Sequence, residues 1–482
     1  MPAHTAARRA GAARGLAALA LASAACLTAA GCKDALVPDY NNPTLGGAIA
    51  DPAQLEGRAA GLVAGDREQF AFELLVLETM GRDAYRIDVA DPRYLLQPLG
   101  QFSPGAFLAD FTWNVHYRTI RGAQLLTADA DASTLLSPAD KAATRGWART
   151  WQALQYLRLI ETRDTIGVPI VAPADAAPAA VRCKPAVLAY TAALLDTAVR
   201  DLGAAGTQFP FATAAGLAAN GTFNTPATFA QFARGLRAKV QLYQGFADYA
   251  RTGASAAAPL NAAVASIDSA FYDPAGPLRA GVYHVYATSS GDLTNANVDQ
   301  SVIRANPKVL ADAEPGDARV AAKLRRDPSL RKVNNDSTVV SDIVFTNVTS
   351  PTTPLPILTN EELILLRAQA LWGLGRDAEA LALVNVIRQR AGALGPKSAG
   401  DFATRLDLLR EILRQKRFSL LFESGDRLVD YRMYGLFTEL GPELSPTNYG
   451  PRVIPFPQAE LDARGGSVSC QWTFHNLGSG PG

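Results

Sequence analysis

Apolar residues recur at three- and four-residue intervals along most of this chain, a spacing that fits amphipathic helices and not strands. The clearest unit runs from Asn360 to Gly392. Leu363, Leu366, Ala370 and Leu374 form one apolar stripe, Gly375-Arg376-Asp377 makes a turn, and Ala380, Leu383, Val384 and Ile387 form a second stripe. Small residues such as Ala370 and Ala380 let two helices approach closely, so the segment is expected to be a helical hairpin. Trp147, Trp151, Leu154 and Leu157 share another stripe, as do Phe229, Phe232, Leu236, Val240 and Tyr243. These aromatics are read as core, because a continuous apolar stripe is a buried face. A further helix carries Leu409, Ile412, Leu413 and Leu420, with the basic residues Arg414, Lys416 and Arg417 alongside.

Irregular stretches separate these blocks. Residues 85–112 place Tyr85, Tyr94, Phe102 and Phe107 among Pro and Gly. Residues 271–300 place Phe271, Tyr272, Tyr283, His284 and Tyr286 among Asp, Asn and Ser, and residues 331–358 suit short strands or extended loops. With 48% hydrophobic residues the chain can bury a large core, in one large domain or two merged lobes. The fold expected is mainly α, with tetratricopeptide-type helical hairpins, long irregular loops and little β. Binding residues are expected on the loops that such a scaffold carries.

The amino terminus reads as a targeting segment. Arg8, Arg9 and Arg14 form a positive region, an apolar stretch runs from Leu16 to Leu27, and Leu27-Thr28-Ala29-Ala30-Gly31-Cys32 follows. About twelve apolar residues are too few to span a bilayer. The segment resembles a bacterial lipobox, which makes residues 1–31 a lipoprotein signal peptide, Cys32 the acylated residue and residues 32–43 a polar tether before a domain over 44–482. Each buried acyl methylene would contribute about 0.8 kcal/mol to the anchor. The first 31 residues hold three arginines and no acidic residue, so losing them takes the formal net charge from +1 to −2. A nearly neutral chain has no electrostatic footprint for nucleic acid. Lipid would be the only membrane anchor.

Cys26 lies in the targeting segment, which leaves Cys183 and Cys470. An oxidising envelope would allow them to pair, although sequence does not show that they are neighbours. No spacing of Cys, His, Asp and Glu resembles a zinc site, and nothing calls for a cofactor.

The carboxy-terminal third, residues 340–482, resembles the RagB/SusD family of nutrient-uptake lipoproteins through three stretches in order. The first is Glu361-Glu362-Leu363-Ile364-Leu365-Leu366-Arg367-Ala368-Gln369-Ala370, continuing to Asn385-Val386-Ile387-Arg388. The second is Ile412 to Arg417, then Leu420-Leu421-Phe422-Glu423-Ser424-Gly425-Asp426-Arg427 and Asp430-Tyr431-Arg432. The third is Ile454-Pro455-Phe456-Pro457-Gln458-Ala459-Glu460-Leu461. Trp113-x3-Tyr117-x2-Ile120, Gly167-Val168-Pro169-Ile170 and Leu236-Arg237-Ala238-Lys239-Val240 are also similar to the family, so the likeness covers nearly all of the chain after Cys32.

Departures are few. Gln415-Lys416 or Lys416-Arg417 stands where Glu-Arg is usual, which removes an expected helix-surface ion pair. Gln124 replaces a usual Asn, and Lys33-Asp34-Ala35 lacks the acidic run that some members use for surface export. Glu423, Arg427 and Arg432 read as helix-orienting charges rather than ligand contacts.

The resemblance implies a SusD-like helical scaffold on a bacterial outer-membrane lipoprotein, anchored by lipid and facing outward. It implies binding of an oligosaccharide or other small nutrient and its delivery to a SusC-like TonB-dependent transporter barrel. It implies recognition without catalysis. Aromatic rings that stack on sugar CH faces are the expected ligand contacts. The loop candidates are Tyr85, Tyr94, Trp113, Tyr283 and Tyr286, of which Trp113 also starts an apolar helical stripe. A glycoside hydrolase would need two carboxylates across a cleft, and no pair stands in such a context. A tetratricopeptide-type scaffold lipoprotein acting in envelope assembly is the alternative, and it predicts several equal repeats where sequence displays one clear hairpin.

Overall fold

The structure is a computed structural model that describes residues 47–172, 178–213, 217, 223–290, 292–466, 468 and 470. The signal segment, Cys32 and the tether all lie outside the described residues. Residues 47–482 cluster as one compact unit.

Ten helices of eight residues or more carry the described residues: α1 (Pro52–Met80), α2 (Phe107–Ala132), α3 (Pro138–Arg163), α4 (Lys184–Gly203), α5 (Pro226–Gly245), α6 (Ala257–Asp268), α7 (Asn360–Gly373), α8 (Asp377–Arg390), α9 (Arg405–Ser419) and α10 (Asp426–Met433). Their starts are written locally. Ser137 and Asp140 form a capping box ahead of α3, Thr225 and Thr228 ahead of α5, and Thr404 and Asp407 ahead of α9. Proline occupies the first position of α1, α3 and α5, where its missing N–H costs nothing. Gly375 turns the chain between α7 and α8 at φ +75°, a left-handed conformation that an L side chain would strain.

Neighbouring helices pack in sequence order: α1 on α2, α2 on α3, α3 on α4, α4 on α5, α5 on α6, then α7 on α8. The 360–392 hairpin is therefore one of several consecutive helix pairs. The mainly α expectation holds, and among the described residues the strands form five two-stranded antiparallel pieces. They are β1 (Ala84–Arg86) with β5 (Ile303–Ala305), β2 (Val168–Pro169) with β3 (Val181–Arg182), β4 (Gly281–His284) with β10 (Leu355–Thr359), β6 (Leu324–Arg326) with β9 (Ile343–Phe345), and β7 (Lys332–Val333) with β8 (Val340–Ser341). Among the described residues no helix is long and apolar enough to cross a membrane.

The aromatic stripes are core, as their spacing requires. Trp147 is fully buried, stacks on Phe229 at 4.6 Å and donates its indole N–H to the Ala59 carbonyl at 3.1 Å. Truncating such a ring to Ala costs about 3–5 kcal/mol.

The family-like charged residues are buried too. Lys239 of α5 reaches Glu362 of α7 at 3.0 Å and Asp426 of α10 at 2.9 Å, while Lys416 of α9 reaches Asp426 at 2.9 Å and Asp430 at 3.0 Å. One ionic cluster thus ties four helices together. Arg417 and Arg427 share Asp83 at 2.7 and 3.0 Å. The expectation of a lost surface ion pair at 415–417 is corrected, because Lys416 and Arg417 point inward and both are paired. Glu423 accepts from Arg279, Arg432 donates to the Glu161 and Arg452 carbonyls, and each acts as a scaffold contact.

Cys183, at the amino end of α4, is bonded to Cys470 with a Cα–Cα distance of 5.2 Å. This link staples the carboxy-terminal segment to the first half of the domain.

Candidate ligand-binding face

One stretch of surface combines open aromatic edges, free amide capacity and a cavity. It begins where β1 ends. Asp88 accepts backbone N–H groups from Ala90 and Asp91, which folds the chain back before the short helix Arg93–Leu96. Opposite stands the β7–β8 turn. Asn334 and Val339 bridge it with two backbone-directed bonds, and Asp336 accepts from Thr338. Asn335 lies exposed at its tip and donates to the Val89 carbonyl at 3.5 Å. Between the two loops lies a cavity whose water-accessible space is about 200 Å³, lined by Asp88, Pro92, Leu95, Leu96, Asn334, Asn335 and Asp336.

Beside it stands a quartet of rings. Phe72 meets Tyr94 at 5.7 Å and Phe111 at 5.6 Å, and Phe107 meets Tyr94 at 5.1 Å and Phe111 at 5.6 Å, all edge to face. Phe111 is 41% exposed, an unusual position for a large ring, and Val89 nearby is 62% exposed. The Arg86 guanidinium lies 4.2 Å from the Tyr94 ring centre and pairs with Asp88 at 3.3 Å, which joins the quartet to the cavity. Arg93 covers Phe107 and grips Asp91 with two hydrogen bonds that hold its carboxyl below the usual range.

Flat apolar rings beside amides and carboxylates suit a solute with an apolar face and a hydroxyl edge. Nothing in this face pairs a nucleophile with a base. His116 and His284 are buried elsewhere, and among the described residues no group of His, Cys, Asp and Glu could hold a metal ion.

Of the residues singled out from sequence, Tyr94 belongs to this face. Tyr85 does not: β1 turns it inward, it is 3% exposed, and burial pushes its hydroxyl pKa up. Tyr283 and Tyr286 are 2% and 3% exposed: Tyr283 lies in β4, whose backbone pairs with β10 instead of running free as a loop, and Tyr286 follows the strand by two residues. Tyr283 donates to the Arg279 carbonyl, and Tyr286 packs in a core cluster with Phe70 and Phe345. These three rings offer no open face in this structure. Trp113 is 4% exposed, packed between Tyr117 and Phe456 and covered by Arg163, and it forms part of the wall of a different cleft. Sequence reading passed over Phe111, Asp88 and Asn335. The i, i+4 pair Phe107 and Phe111, opening a helix beside two charged loops, was the available signal.

No family model and no curated protein matches the sequence. Solved structures do match. A SusD superfamily protein from Bacteroides fragilis superposes with a TM-score of 0.62 at 16% identity, over 87% of this chain and 99% of that one. A SusD-like carbohydrate-binding protein from Bacteroides vulgatus gives a TM-score of 0.59 at 16% identity, over 80% and 84%. A structure solved with a xylogluco-oligosaccharide gives 0.62 at 15% identity, over 85% and 96%. Likeness over nearly the whole length of these proteins, at such low identity, is likeness of fold. The chain has the SusD-superfamily fold.

Proposed function

We propose that this protein binds a neutral oligosaccharide on the face made by residues 86–111 and 332–340, and does so without catalysis. The observation that carries the reading is the ring quartet of Phe72, Tyr94, Phe107 and Phe111 beside a cavity rimmed by Asp88, Asn334 and Asn335. Ring faces of this kind stack on sugar CH groups, and the amides and carboxylates take hydroxyl hydrogen bonds. The xylogluco-oligosaccharide on one protein of the same fold supports a sugar as ligand class.

The rest of the proposal rests on the sequence. Residues 1–31 direct export, Cys32 takes the acyl anchor, residues 32–43 tether the domain over 44–482, and the protein sits on the outer membrane facing outward. It hands its ligand to a SusC-like TonB-dependent barrel. A glycan array probed with the purified protein tests the binding, and retention of one glycan class without its hydrolysis is the expected result. A membrane pull-down tests the partner, with a co-purifying large β-barrel expected. The consecutive helix pairs favour a second reading, an envelope scaffold, for which the same pull-down would return an assembly complex and the array would stay blank.

A further inference from the structure

The two walls of the loop-face cavity are built differently. On one side Asp91 grips Arg93 with two hydrogen bonds, and Leu95, 1% exposed, ties the short helix into the core. The other side is the β7–β8 turn, which is bonded to itself. The Asn334 carbonyl accepts the Ser337 N–H at 3.1 Å, and the Asn334 N–H donates to the Val339 carbonyl at 3.0 Å. Its side-chain Oδ1 accepts the Val339 N–H at 2.9 Å, and its Nδ2 donates to the Thr338 hydroxyl at 3.1 Å. Asp336 accepts from the Thr338 N–H and hydroxyl. Residues 334–339 therefore form one stiff unit.

That unit is fixed at its base and nearly free at its tip. Val339 packs with Tyr85, Ile87, Leu95 and Leu99, and Ser341 donates its hydroxyl to the Ala305 carbonyl at 2.6 Å. The ladder that carries the tip is two residues long on each strand, Lys332–Val333 with Val340–Ser341. Among the described residues, the tip (335–338) makes one hydrogen bond beyond the turn, from Asn335 to the Val89 carbonyl at 3.5 Å. Asn335 and Val89 are both exposed, so water replaces either partner at little cost. The cavity between the walls is about 200 Å³, below the roughly 300–1,000 Å³ of ordinary ligand sites. A glycan unit needs more room, and the self-bonded tip is the wall that can yield.

We propose that the β7–β8 turn is a clasp on the ligand face. It swings about its two-residue ladder, Asn335 leaves the Val89 carbonyl, and the cavity widens to admit a glycan unit. On its return the tip covers the guest, and Asn335 donates to a sugar hydroxyl in place of Val89. The wall over residues 91–96 stays still and sets the seat. This inference rests on the loop-face reading and adds a step to it. Opening precedes entry, so the Asn335–Val89 latch governs how fast the guest arrives as well as how long it stays.

Locking the latch tests it. In full-length Val89→Cys/Asn335→Cys, bismaleimidoethane ties the two walls together, while N-ethylmaleimide caps the same thiols singly, and mass spectrometry tells the products apart. On a glycan array the capped protein is expected to retain the glycans that the wild type retains, and the tied protein to hold them roughly tenfold or more weakly. Equal retention by the two overturns the clasp and leaves the loop face standing. A linker that never bridges the thiols does the same, since the closed latch brings them together. An array blank for the wild type removes the loop-face reading and the clasp with it. Asn335→Ala gives a second decision without either reagent, and it decides alone if capping itself abolishes retention. Surface plasmon resonance with a glycan from the array should then show both faster association and faster dissociation than in the wild type. Unchanged association overturns the clasp and, where dissociation alone speeds up, makes Asn335 a fixed rim contact.

Discussion

Asp66 and His284 meet completely out of solvent, His284 Nε2 lying 2.6 Å from Asp66 Oδ2 across 218 residues of sequence. Asp66 also accepts from Arg158 at 2.8 and 3.1 Å and from Gln155 at 2.7 Å. Gln155 in turn faces His116, which bonds Glu73 at 2.6 Å. This chain of polar groups joins α1, α2, α3 and β4 inside an otherwise apolar core. The Asp66 carboxylate is paired on both oxygens, which is what makes a buried charge tolerable, while His284 Nδ1 is left without a hydrogen-bond partner.

Asp66→Asn leaves the buried Arg158 without its ion-pair contact, so it should destabilise the fold by about 3–5 kcal/mol. Urea titration with far-ultraviolet circular dichroism measures this. A loss below about 1 kcal/mol would mean that the charge is solvated in solution.

The same pair sets an acid limit. Burial lowers the pKa of His284 below its ordinary 6.5, and the Arg158 and His284 contacts, outweighing burial, lower that of Asp66 below 3.8. In both cases the unfolded chain binds the proton first as pH falls. Stability from this pair is therefore full above pH 6.5, erodes below it through His284, and erodes further below 3.8 through Asp66. Melting temperatures from pH 8 to 3 should fall in that order, and Asp66→Asn should flatten the lower part of the curve.

Glu362 behaves oppositely. Burial pushes its carboxyl up to about 7 despite Lys239 at 3.0 Å. A raised pKa contributes stability that is complete below 4.5 and is lost as pH rises through 7. Glu362→Gln should remove that opposing slope, so the fall in melting temperature from pH 8 to pH 5 should be steeper than in the wild type.

Removing the Cys183–Cys470 link, by Cys183→Ser or by reductant, should lower stability by about 2–4 kcal/mol. Non-reducing electrophoresis reports the bond, and the melting shift reports its contribution.

The two classes of tyrosine should separate cleanly. Tyr283→Ala and Tyr286→Ala empty buried volume and should cost about 3–5 kcal/mol in stability, as for other buried aromatic rings. Tyr94→Ala removes a ring that is only partly buried, so it should cost less in the melt than either of these and weaken glycan binding by roughly tenfold. Thermal melts beside binding titrations decide it.

These outcomes follow how each element is encoded. The stripes of Trp147, Phe229 and Leu363 were legible because a period near 3.6 is imposed by the helix itself and is printed in the local sequence. Strand β4 was not. Gly281–His284 is buried on both faces, so it has no alternation, and its partner β10 lies more than 70 residues later. Polar neighbours made the segment read as a loop and moved Tyr283 and Tyr286 to the surface on paper. Lys416 and Arg417 misled for a related reason, since basic residues on a helix suggest solvent until their distant carboxylates, Asp83, Asp426 and Asp430, are in place. The ring quartet needed α1, the short helix 93–96 and α2 to meet before Phe72, Tyr94, Phe107 and Phe111 became neighbours.

The most direct measurement of the central claim is hydrogen–deuterium exchange of the full-length protein with and without the glycan that the array selects. Slowed exchange confined to residues 86–111 and 332–340 is the predicted result. Slowing elsewhere, with those two loops unchanged, would contradict it.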